Sequence, residues 1–70
     1  MKTTKILLAK GKTLYMYNKI TGVTGSFYNF NDDLEVEVTD YGTEQTQLFN
    51  IRIRTGLTSV SLWGDKYEIE

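Results

Sequence analysis

Tyr15, Tyr17 and Tyr28, with Lys5 and Lys19 beside them, are the residues whose types and spacing come nearest to a binding surface. Tyr15 and Tyr17 are two apart, so on an extended strand they share a face, and Tyr28 joins them if the chain reverses in between. Leu7 would add apolar area to the same face. A tyrosine–lysine stripe on an open sheet can stack bases and hold phosphates, as single-strand nucleic-acid binders do. It can equally serve a protein interface, where tyrosine offers large area on few rotatable bonds. Tyrosine is also a good sheet former on any half-exposed face. Trp63 stands just before Gly64-Asp65, either as a contact residue or as a cover over one end of the fold.

Catalysis has little to draw on. The 70 residues include no histidine and no cysteine, which removes disulfides, thiolate nucleophiles and the usual zinc ligand sets. Carboxylates, lysine, tyrosine and hydroxyls remain as acids, bases or nucleophiles. Asp32-Asp33 with Glu35 is the one carboxylate cluster, and adjacent acids before a strand read as a loop with solvated charge. The six glycines are isolated and match neither the dinucleotide nor the P-loop pattern, so they read as turn formers. The expectation is a protein that is not an enzyme and carries no cofactor or metal.

The elements that position these residues centre on Leu34 to Arg54. Leu34-Glu35-Val36-Glu37-Val38-Thr39 alternates apolar and acidic residues, and Phe49-Asn50-Ile51-Arg52-Ile53-Arg54 alternates apolar residues with polar and basic ones. An antiparallel pairing of Val38 with Ile51 sets Val36 against Ile53 on one face. On the other it sets Glu37 against Arg52, Glu35 against Arg54 and Thr39 against Asn50. A slip of one residue would bury the charges, so the register is firm. The polar stretch Asp40 to Gln47 is expected to extend the strands rather than form a helical turn.

Further strands flank this hairpin. Lys10-Gly11-Lys12 is read as a turn setting Leu8 opposite Leu14 and Ile6 opposite Met16. A reversal at Thr21-Gly22 sets Ile20 against Val23, Met16 against Phe27 and Tyr15 against Tyr28. Asn29 to Asp33 reads as a loop. Thr55-Gly56 turns the chain so that Ile51 meets Val60 and Phe49 meets Leu62. Gly64-Asp65 is read as a hairpin connection that brings Leu62 opposite Tyr67 and Val60 opposite Ile69. The fold class expected is all-β, a small antiparallel meander of about six or seven strands over residues 1–70. It forms a curled sheet or a small SH3-like or OB-like barrel, as a single domain.

Charge and length limit the partners. Eight basic and nine acidic residues leave a net charge of -1, which argues against general binding of duplex DNA. The charges are segregated: Lys2, Lys5, Lys10, Lys12 and Lys19 precede every acid, and Asp32, Asp33, Glu35, Glu37, Asp40 and Glu44 follow with no base among them. Such segregation is either a solvated surface or a basic edge beside an acidic one, suited to head-to-tail contacts. A domain this small often needs a disulfide, a metal or a partner subunit, and self-association is the route left. Met1 to Lys10 imitates a signal peptide, but its apolar run, Ile6 to Ala9, is too short, and no stretch suits a membrane span. The expected protein is cytoplasmic and non-enzymatic. It meets a protein partner or another copy through Tyr15, Tyr17, Tyr28, Lys5, Lys19 and Trp63, with single-stranded nucleic acid on the same face as the alternative.

Overall fold

The computed structural model describes residues 2–56 and 58–70. The alternating segments become seven strands: β1 (Lys2–Leu8), β2 (Thr13–Asn18), β3 (Gly22–Tyr28), β4 (Leu34–Asp40), β5 (Phe49–Thr55), β6 (Thr58–Gly64) and β7 (Lys66–Ile69). They form two antiparallel sheets, ordered β1-β4-β5-β6 and β3-β2-β7. The fold is all-β. No helix among the described residues is long and apolar enough to cross a membrane.

The inward positions of both sheets meet in one core. Leu8, Leu14, Met16, Val36, Val38, Ile51 and Ile53 are buried, and Ile6, Phe27, Leu34, Phe49, Val60, Leu62 and Tyr67 pack around them. Each fully buried side chain of this size contributes roughly 1.5–3 kcal/mol relative to exposure, so the seven form the main source of stability.

The central hairpin has the expected register: Glu37 pairs with Arg52, Val38 with Ile51 and Thr39 with Asn50. The ladder runs from Glu37–Arg52 to Asp40–Phe49, so neither Val36–Ile53 nor Glu35–Arg54 is a rung of it. Glu35 instead reaches Lys5 of β1 at 3.6 Å, and no ion pair joins Glu37 to Arg52 among the described residues. Residues 41–48 do not extend the strands. After one more rung, Tyr41 N–H to the Leu48 carbonyl at 2.8 Å, they form a loop whose turn is closed by Thr43 N–H on the Thr46 carbonyl at 2.7 Å.

The turns lie where expected, but two of them join strands that do not pair. Gly11 adopts φ 82° in a tight turn, with Lys12 N–H bonded to the Ala9 carbonyl at 3.1 Å. The chain leaving it enters the other sheet. Leu8 therefore pairs with Leu34 and Ile6 with Val36, rather than with Leu14 and Met16. This places basic β1 directly against acidic β4, Lys2 opposite Asp40 and Lys5 opposite Glu37, so the segregated charges meet within one molecule.

At Gly64-Asp65 there is no hairpin. Gly64 is absent from the positive-φ glycines, which are Gly11, Gly22 and Gly56, so the turn type that needs such a glycine does not form. The strand bends and continues: β6 ends the four-stranded sheet, and β7 lies beside β2 with Leu14 opposite Ile69 and Met16 opposite Tyr67. Asp65 N–H bonds the Tyr17 carbonyl at 2.9 Å, and Thr13 and Glu70 exchange two backbone bonds of 2.8 and 2.9 Å.

Two registers differ from expectation by two residues, which keeps the faces except at Val23, which does not pair with Ile20 and lies exposed on the outer face. Leu14 rather than Met16 meets Phe27, Met16 meets Gly25 and Tyr15 meets Ser26. A bulge at Met16/Tyr17 then shifts the ladder, so Tyr17 meets Val23. On β5–β6, Ile51 meets Leu62 and Ile53 meets Val60, with Gly56 in the turn at φ 61°.

Candidate interaction surfaces

The outer face of the three-stranded sheet carries the tyrosines. Leu14 and Met16 are buried beneath it, so Tyr15 and Tyr17 project away from the core. Their ring centroids are 6.4 Å apart. Tyr28 occupies the rung opposite Thr13, next on this face to the Tyr15–Ser26 rung, and so lies diagonally from Tyr15. Phe30, just past the strand, stacks on Tyr28 at 6.1 Å. Tyr28 is 53% exposed and Phe30 71%. Phe30 escaped the sequence reading because it follows the strand, where alternation no longer assigns a face.

β7 supplies the charges on this face. Glu68 lies opposite Tyr15 and Lys66 opposite Tyr17. The Lys66 ammonium is 3.0 Å from Glu68 and 5.7 Å from the Tyr17 ring centroid. Partial burial, reinforced by the negative charges of Glu68 and Glu70, holds the Tyr17 phenol above its ordinary range, with Lys66 opposing. Hydrogen bonding and charge attraction to Lys66 hold the Glu68 carboxyl below its ordinary range, and the same bond holds Lys66 above its own. Sequence reading missed Lys66 and Glu68 because it placed residues 66–69 beside β6 instead of β2.

The other sequence-selected residues lie elsewhere. Lys5 and Leu7 are on β1, on the outer face of the four-stranded sheet and in a different sheet from the tyrosines. The expected stripe therefore divides. On the four-stranded face Thr3, Thr39, Asn50 and Trp63 form one row across the strands. The Thr3 and Thr39 hydroxyls are hydrogen-bonded at 3.1 Å, and the buried Asn50 amide donates to Ser61 Oγ at 2.8 Å and to the Leu62 carbonyl at 3.3 Å. Trp63 ends the row, packed on Tyr41 with centroids 5.4 Å apart. Lys19 sits in the β2–β3 turn, where its backbone N–H is held by the Asp65 carboxylate.

Within the acidic cluster, Asp33 serves the local backbone while Glu35 pairs with Lys5. Asp33 Oδ1 accepts the Lys10 N–H at 2.9 Å. Beside it, buried Asn29 donates to the Leu8 carbonyl at 2.9 Å and the Asp32 carbonyl at 3.1 Å, and accepts from Asn31 N–H at 3.2 Å. Its backbone also bonds Lys12 and Gly11 at 3.0 and 2.7 Å. Asn29 thus ties the end of β1, the first turn and the β3–β4 loop together. No protein family, curated protein or solved structure matches the chain.

Proposed function

We propose that this protein is a non-enzymatic interaction module that binds a protein partner in the cytoplasm through the outer face of its three-stranded sheet. The observation that carries the proposal is the group Tyr15, Tyr17, Tyr28 and Phe30 on one face, with the Tyr28–Phe30 stack more than half exposed. Aromatic residues with few rotatable bonds and polar tips are enriched where proteins meet. Lys66 and Glu68 form a polar margin beside them.

Single-stranded nucleic acid on the same face has less support. Lys5 lies on the other sheet, and Lys66, the cation among the tyrosines, is held by Glu68. A labelled oligonucleotide titrated at low and high salt tests that reading, because phosphate contacts weaken steeply with salt.

The test of the leading proposal compares Tyr15→Ala, Tyr28→Ala and Phe30→Ala with Arg54→Ala on the other sheet. The three face variants are expected to lose the partner that the unaltered protein recovers from its host, or to lose a self-association seen by light scattering. Arg54→Ala is expected to keep it. A monomer whose face variants retain every partner would contradict the proposal.

A further inference from the structure

Lys19 and Trp63 line one cleft where the β2–β3 turn, the Tyr41–Leu48 loop and the β6–β7 bend meet. The cleft measures ≈ 350 Å³, and Ile20, Leu48 and the Trp63 indole supply its apolar walls. All three side chains are exposed, Ile20 at 85%, so the surface gains by being covered. Tyr41 packs against Trp63 and braces the indole.

Two charged groups border this cleft, and one is already engaged. Both oxygens of the Asp65 carboxylate lie 3.1 Å from the Lys19 backbone nitrogen. No carboxylate stands within ion-pair distance of the Lys19 ammonium among the described residues. Lys19 also lines two adjoining clefts of ≈ 430 and ≈ 390 Å³. This end of the molecule therefore offers apolar walls for one side chain and an uncommitted cation at the rim.

We infer that the cleft binds the chain-terminal aliphatic residue of a partner peptide. Its side chain rests against Ile20, Leu48 and Trp63, and its free carboxylate meets the Lys19 ammonium. A terminal residue carries both groups on one Cα, which suits a cleft that Lys19 and the apolar residues Ile20, Leu48 and Trp63 line together. The inference stands apart from the tyrosine face and does not depend on it.

Trp63 is the one tryptophan in the chain, so it reports on the cleft directly. The intact protein is titrated with N-acetyl-Gly-Gly-Leu bearing a free carboxylate, and with the same peptide amidated. Trp63 emission and its indole N–H signal are followed. Saturable binding is expected, tighter for the free acid by roughly two- to fivefold, the range of an exposed ion pair. Lys19→Met is expected to abolish that preference, Leu48→Ala to weaken both peptides by roughly threefold, and Tyr28→Ala to change neither. Lys19 and Leu48 are exposed, and an unchanged urea midpoint certifies that each variant is folded. Equal binding of acid and amide, an acid preference that survives Lys19→Met, or no saturable response to either peptide would each overturn the inference.

Discussion

A methyl group added to Gly64 would stand 2.5 Å from the Tyr17 carbonyl oxygen and 2.6 Å from Cγ and Sδ of Met16. The carbonyl is backbone and cannot swing aside, so Gly64→Ala is expected to cost about 3 kcal/mol, the upper part of the overpacking range. The urea midpoint measures it. Gly25→Ala is the control: its methyl meets Leu62 Cδ2 at 3.0 Å, the mobile end of a side chain, and the loss should stay under about 1 kcal/mol. Asn29→Ala would leave the Leu8 and Asp32 carbonyls without its two bonds, at about 1–3 kcal/mol. In Asn29→Asp a carboxylate would face those same oxygens, which favours the protonated acid. A pKa raised in the folded state adds stability below the unfolded value and loses it as pH rises, so this variant should approach the parent only in acid. Tyr17, whose phenol is also raised, contributes stability below the ordinary tyrosine range and loses it as pH climbs through its own midpoint. Glu68→Gln should lower that midpoint in a ring-signal titration without restoring the ordinary value, because burial, the first cause, remains.

At the scale of the strand, faces were largely legible and neighbours in part: β2–β3, β4–β5 and β5–β6 pair as expected, while β1 and β7 pair elsewhere. Alternation determined which side of each strand is apolar except at the bulged start of β3, and the Val38–Ile51 pairing followed because charge and apolar patterns agree in one register. Slips of two residues on β2–β3 and β5–β6 leave faces unchanged, so a periodic pattern cannot distinguish them. The tyrosine group survived for that reason, while Lys5 left it through topology and Lys19 because it lies in the turn past the end of β2. The Gly11 turn is identical in local chemistry whether its strands pair or diverge. Gly64 is required for space and not for backbone freedom, since its φ is not positive and a Cβ there would strike the Tyr17 carbonyl. β1 shows how an element is kept soluble: it lies at the border of the four-stranded sheet, largely exposed, with Lys2 and Lys5 along it. Lysines on such a strand discourage edge-to-edge pairing. Lys5→Val is expected to produce concentration-dependent association in sedimentation while leaving the monomer folded.

For the whole molecule, the pairings of highest sequence separation control assembly. β1–β4 joins Lys2 to Asp40, and β2–β7 joins Leu14 to Ile69, so most of the chain must be present before either sheet is complete. Folding dominated by such contacts falls in the millisecond-to-second range. The chain has no proline, so stopped-flow refolding should show one phase without the slow tail of prolyl isomerisation.

The interleaved strand order has a further consequence. A break between Glu44 and Gln45, in a loop exposed throughout, would divide the protein into one piece holding β1 to β4 and another holding β5 to β7. Each piece is knitted to the other twice, β4 to β5 in one sheet and β2 to β7 in the other. Neither piece owns a complete sheet, and together they own both. The halves should therefore be inert separately and reconstitute on mixing, which makes this small two-sheet chain a natural split reporter.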